Sequence, residues 1–99
     1  MAQFDVHRMA DGGGLVVDCQ SNLLSQLQSR FVAPLVAKAD APRPARRLNP
    51  TFVVDGVEHV MLTQFSAAID RRLLGPVVES LADRSLEITD ALDVLISGV

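Results

Sequence analysis

Asp83-Arg84-Ser85-Leu86-Glu87-Ile88-Thr89-Asp90-Ala91-Leu92-Asp93-Val94-Leu95-Ile96-Ser97-Gly98-Val99 is the one long stretch of helical periodicity in the chain. Ile88, Ala91, Leu92, Leu95 and Ile96 recur at the spacing of one helix face, while Glu87, Asp90 and Asp93 fall on another. The spacing therefore predicts an amphipathic helix packed on something else. Asp83 is placed to cap it, since a carboxylate there accepts the free N–H groups of the first turn and complements the dipole. The other end is shaped differently. Asp93 opposes the dipole in the last turn, at roughly 0.3–1 kcal/mol, and Gly98 offers the left-handed conformation that ends a helix. What remains is a short apolar tail among acids, either a frayed terminus or a surface kept for a partner.

Working outward, everything ahead of this helix reads as short strands. Thr51-Phe52-Val53-Val54 and Val57-Glu58-His59-Val60-Met61-Leu62 flank Asp55-Gly56, a pair suited to the two positive-φ positions of a type I′ hairpin turn. At the N-terminus, Phe4 and Val6 alternate with Asp5 and His7, and Leu15, Val17 and Cys19 alternate with Val16, Asp18 and Gln20. Asp11-Gly12-Gly13-Gly14 lies between, so a second hairpin is expected. A phosphate-binding reading of those glycines fails because Leu15 follows where Lys and Ser or Thr are required. Ser21–Ser29 is a short helical turn or a loop, with Leu23 and Leu24 either exposed or tucked into the core. Phe31–Val36 is a third strand, and Pro34 marks it as an edge or a bulge. Thr63–Ile69 extends the sheet, Ser66-Ala67-Ala68 allow close approach of another backbone, and Arg71–Leu74 adds a short strand or turn before Gly75-Pro76. Six or seven strands followed by one helix make a mainly β, small-barrel pattern rather than alternating βαβ.

Ninety-nine residues make one domain, residues 1–99, with a single core. The 48% hydrophobic content at a net charge of −3 argues against disorder. No apolar run reaches the roughly eighteen residues that span a bilayer, and nothing resembles a secretory signal, so a cytoplasmic protein without membrane contact is expected. The single Cys19 reads as a structural thiol. Against the acidic balance, Ala41-Pro42-Arg43-Pro44-Ala45-Arg46-Arg47-Leu48-Asn49-Pro50 holds three prolines and three arginines in a stiff, solvated excursion. Such a loop is plain soluble surface or a site for an acidic protein partner. Without interleaved aromatics it is a poor nucleic-acid site. No catalytic constellation is legible: His7 and His59 stand apart, there is no metal-ligand spacing, and no cofactor is implied. An endoribonuclease using Arg46 or Arg47 to stabilise phosphorane-like charge lacks a base beside it.

The chain resembles the CcdB family of toxins in Gln3-Phe4-x-Val6, Leu15-x-Val17-Asp18-x-Gln20-Ser21, Val32-x-Pro34-Leu35, Leu48-x-Pro50, Met61-Leu62-Thr63 and Gly98. The resemblance implies an SH3-like small barrel with a five-stranded antiparallel sheet, a small second sheet and a C-terminal helix, assembled as a homodimer. It further implies a non-enzymatic toxin of a type II toxin–antitoxin system, such as those of plasmid maintenance. Such a toxin binds the A subunit of DNA gyrase, traps the cleaved-DNA complex and is neutralised by a CcdA-like antitoxin. The gyrase-facing residues of the family fall on Leu23, Leu24, Asp93, Ser97, Gly98 and Val99. The basic loop, through Arg43, Arg46 and Arg47, would then receive the antitoxin's acidic arm. One departure stands out: the family ends in Trp-Gly-Ile, whereas this chain has Ser97-Gly98-Val99 and no tryptophan. An aromatic anchor contributes about 2 kcal/mol or more, about twenty-five-fold in affinity. Two alternatives therefore stand beside the first reading. One is a protein of this fold that binds antitoxin without poisoning gyrase, and the other is an endoribonuclease on the same barrel.

Overall fold

A computed structural model of the chain describes residues 2–98. Seven strands are present: β1 Asp5–Met9, β2 Leu15–Asp18, β3 Ser29–Ala37, β4 Thr51–Val54, β5 Val57–Met61, β6 Ala67–Asp70 and β7 Leu74–Ser80, followed by α1, Ser85–Ser97. All pairings are antiparallel. Both expected hairpins form. At the β4–β5 turn Asp55 and Gly56 take φ of 53° and 77°, the two positive values a type I′ turn demands.

The longest strand, β3, is the hub. Its first half, Ser29–Val32, pairs with β6, its second half, Leu35–Ala37, pairs with β5, and β2 runs along its other side. The seven strands therefore form one sheet that forks at β3, its larger part β6-β3-β2-β1-β7 and its small arm β4-β5-β3. The edge placement expected from Pro34 is wrong, and the reason is local. The Pro34 carbonyl accepts the Leu62 N–H, and a strand residue's nitrogen points to the same side as its carbonyl. The missing donor thus falls where β3 changes from one partner to the other, so no ladder bond is lost. Gly75-Pro76 lies inside β7, an edge strand where proline is tolerated.

The two outer strands of the larger part, β6 and β7, are joined only by the 3-10 turn Arg71–Leu73. The sheet must curl for its ends to meet there, which gives an open half-barrel. Over it folds the β4–β5 hairpin, whose Asp55 N–H donates to Glu79 on β7. Val6, Leu15, Val17, Ala33 and Leu35 from the sheet meet Phe52, Val54 and Met61 from the hairpin and Ile88 and Ala91 from α1. The opposite face of the sheet holds Asp18 and Arg30, wholly buried and paired at 2.6 Å. His7 is also buried there, its Nδ1 3.0 Å from the Gly75 carbonyl. Cross-strand pairing to both β2 and β7 encloses it.

The helix begins later than its acids imply. Ala82–Arg84 is a 3-10 turn anchored by buried Leu81, so Asp83 lies within the turn, and Arg84 stands at the N-cap without a side-chain cap bond. Arg84 fastens this end by other means: its guanidinium bonds to Glu87 and the Thr51 carbonyl and lies 4.8 Å over the Phe52 ring. No described helix is long and apolar enough to cross a membrane.

Candidate interaction site

Leu23 and Leu24 stand on a 3-10 turn, Asn22–Leu24, that is held from beneath by a chain of side-chain bonds. Buried Asp18 binds Arg30 through Oδ2 and accepts the Gln20 N–H through Oδ1. Gln20 in turn donates to the Leu24 carbonyl at 2.9 Å and accepts the Phe31 N–H at 2.9 Å. Ser21 Oγ accepts the Leu23 N–H, and Asn22 Oδ1 accepts from Gln3. With the backbone so fixed, Leu23 is nevertheless 93% exposed and Leu24 51%. A segment pinned at both ends that still turns its leucines to water is a presentation loop rather than a slack one.

The end of α1 repeats this pattern. Gly98 takes φ 73° and its N–H closes on the Val94 carbonyl, while Ser97 Oγ donates to the Asp93 carbonyl at 2.6 Å, so the last turn is bonded. Ile88 and Ala91 are buried as the periodicity requires. Leu95 and Ile96, expected on the same buried face, are 42% and 83% exposed. Asp93, Ser97 and Gly98 are exposed beside them, and Val99 lies outside the described residues. Ala67 and Ala68 are also exposed. Among the candidate residues Ile96 is the one the sequence reading missed. Its signal was its place at the end of the apolar stripe, beyond where the sheet can cover it.

The basic loop forms a third feature. Lys38–Asp40 is a 3-10 turn, and Asn49 fixes the return by accepting the Ala45 N–H and donating to the Met61 carbonyl and Gln64. Thr63 Oγ1 donates to the Leu48 carbonyl. Arg43, Arg46 and Arg47 are exposed. Arg47 adopts φ 64°, a left-handed conformation that costs a non-glycine residue roughly 1–2 kcal/mol. Its guanidinium forks onto Asp90 of α1, with Nε to Oδ2 at 3.0 Å and Nη2 to Oδ1 at 2.7 Å. The hydrogen-bonded arginine holds Asp90 below the ordinary carboxylate range, as Arg84 does Glu87. The Arg47–Asp90 pair thus ties the basic loop to α1.

Among the described residues no three His, Cys, Asp or Glu side chains gather to hold a metal ion. Burial pushes the Cys19 thiol up to about 12, which keeps it protonated and unreactive at neutral pH. His59 Nδ1 lies 2.8 Å from its neighbour Val57's carbonyl. It lines a shallow depression of about 680 Å³ with Arg8, Leu15, Val36 and Val54.

The family model of the CcdB protein matches residues 3–98. No curated protein sequence matches. Among solved structures, an endoribonuclease in complex with its cognate antitoxin, from mycobacterial species, superposes with a TM-score of 0.77. The match covers 97% of this chain and 94% of that one at 13% identity, a likeness that shows the fold alone.

Proposed function

The chain belongs to the CcdB protein family, toxins of toxin–antitoxin systems, and from that premise we propose that it poisons DNA gyrase as a homodimer, without itself making or breaking bonds. The contact to the gyrase A subunit runs through Leu23 and Leu24 and the end of α1, with Asp93, Ser97, Gly98 and Val99 as the family pattern implies, and with Ile96 added. The observation that carries this reading is the exposure of Leu23 and Ile96 on backbone that hydrogen bonds hold in place. Large apolar side chains held rigidly in water are what a protein interface needs before its partner arrives. Exposed Leu95, Ala67 and Ala68 supply apolar and small-residue surface for a second copy. Without the family's tryptophan, Ile96 provides apolar area at the tip. The basic loop through Arg43, Arg46 and Arg47 receives an acidic arm of the antitoxin, whose approach its charge would steer.

The test is a cleavage-complex assay: purified protein, gyrase and supercoiled plasmid, followed by denaturation of the enzyme. Linear DNA accumulating with dose is the expected result. Its absence at high dose, with antitoxin binding retained, would replace this reading with that of an antitoxin-binding protein that has lost gyrase. RNA cleavage without DNA breaks would move the protein to the endoribonucleases.

A further inference from the structure

Arg47 and Asp90 form a bidentate ion pair across 43 residues of chain, between a basic loop and the helix that ends in the exposed tip. Their side chains are 54% and 43% exposed, so water and solutes reach both. The loop that carries Arg47 is pinned through Asn49, Leu48 and Ala45. The guanidinium is therefore offered from a fixed base. Beside the pair, Arg47, Asn49, Pro50, Thr51, Glu87 and Asp90 line a depression of about 350 Å³, room for a side chain or two of an extended segment. A planar fork meeting a carboxylate in this way is the geometry by which an arginine takes an aspartate or glutamate from a partner.

We infer that Asp90 is a built-in stand-in for a partner's carboxylate, holding Arg47 until an acidic segment of the antitoxin displaces it. The inference rests on the proposed reading of the basic loop as the antitoxin-facing surface. Exposed pairs are weak, so Asp90 keeps Arg47 ordered yet yields readily to a carboxylate that arrives with further contacts. The exchange also reaches the target-facing surface. Asp90 stripped of its arginine adds an uncompensated negative charge one turn from Asp93, so antitoxin binding at the loop changes the charge of the helix end.

An internal competitor lowers apparent affinity by the fraction of time it occupies the site. Asp90→Asn should therefore tighten binding of a fluorescent hexaglutamate peptide, read by anisotropy at low salt, by about three- to fivefold. Asp83→Asn makes the same charge change without touching Arg47 and should leave affinity near that of the unaltered protein. Arg47→Ala combined with Asp90→Asn should abolish the gain. An equal gain from Asp83→Asn would show that only net charge matters and overturn the inference. Peptide binding that is unchanged by Asp90→Asn would overturn it as well, leaving the loop as a receptor. If no variant binds the peptide, the antitoxin-facing reading of the loop itself fails, and the stand-in role fails with it.

Discussion

Truncating Leu23 or Ile96 to alanine separates a binding surface from a carelessly exposed one. Each change removes three carbons, worth about 2.4 kcal/mol if the side chain becomes fully buried against a partner, at about 0.8 kcal/mol per methylene. In the free protein the same atoms already lie in water, with Leu23 93% and Ile96 83% exposed. Folding should accordingly shift by no more than about 0.5 kcal/mol, the range of ordinary surface substitutions. Affinity for gyrase should fall by up to about fifty-fold, and the protein needed to linearise half the plasmid should rise in proportion. The two measurements belong together: a dose titration of linear DNA and a urea unfolding curve on the same preparations. Ile88→Ala is the contrast, because Ile88 is wholly buried. It should lose about 2–5 kcal/mol of stability, and its poisoning would fail through unfolding. Variants of Leu23 and Ile96 that poison at the original dose, or that lose stability as Ile88→Ala does, would refute the assignment of these residues to the interface.

Arg30→Met should be far more damaging than any surface change. It strands the wholly buried Asp18 carboxylate with the Gln20 N–H, at about 3–5 kcal/mol by urea denaturation, and Asp18→Leu added to it should restore much of the loss; a loss below 1 kcal/mol would show that the pair is not enclosed. Acid should act through the surface carboxylates. Hydrogen bonds from the Arg72 guanidinium and backbone hold Asp70 down at about 2, below its ordinary 3.8. Its contribution is therefore present above pH 4 and lost as pH falls towards 2. Asp70→Asn should lower the unfolding midpoint at pH 6 and lower it much less at pH 2, and an equal difference at both values would exclude the charge as the cause.

Local chemistry carried most of the fold, and its failures have a common physical origin. Asp55-Gly56 could be read directly because a type I′ turn needs two positive φ values and few residue pairs supply them. The helix, both hairpins and the alternation in β1 and β2 are similarly local. Pro34 was misread as an edge because a proline's effect depends on which side of the strand lacks a partner, and that is settled by β3 changing partners. Asp18 and Arg30 were within reach: Asp18 lies two residues after Val16 and Arg30 two before Val32, each on the strand face its valine occupies. Two opposite charges on adjacent strands of one buried face have to meet. Arg47 and Asp90 were not within reach, since 43 residues separate them and no periodicity connects a loop to a helix. The same distinction explains the tip of α1. Periodicity states which residues share a face, and Ile88, Ala91, Leu92, Leu95 and Ile96 do share one. It does not state how far the sheet beneath extends. Only Ile88 and Ala91 are buried, Leu92 is partly so, and Leu95 and Ile96 project past the cover. A stripe longer than its own support leaves apolar surface that only another molecule can bury, and in this chain that surplus falls beside the exposed Asp93, Ser97 and Gly98.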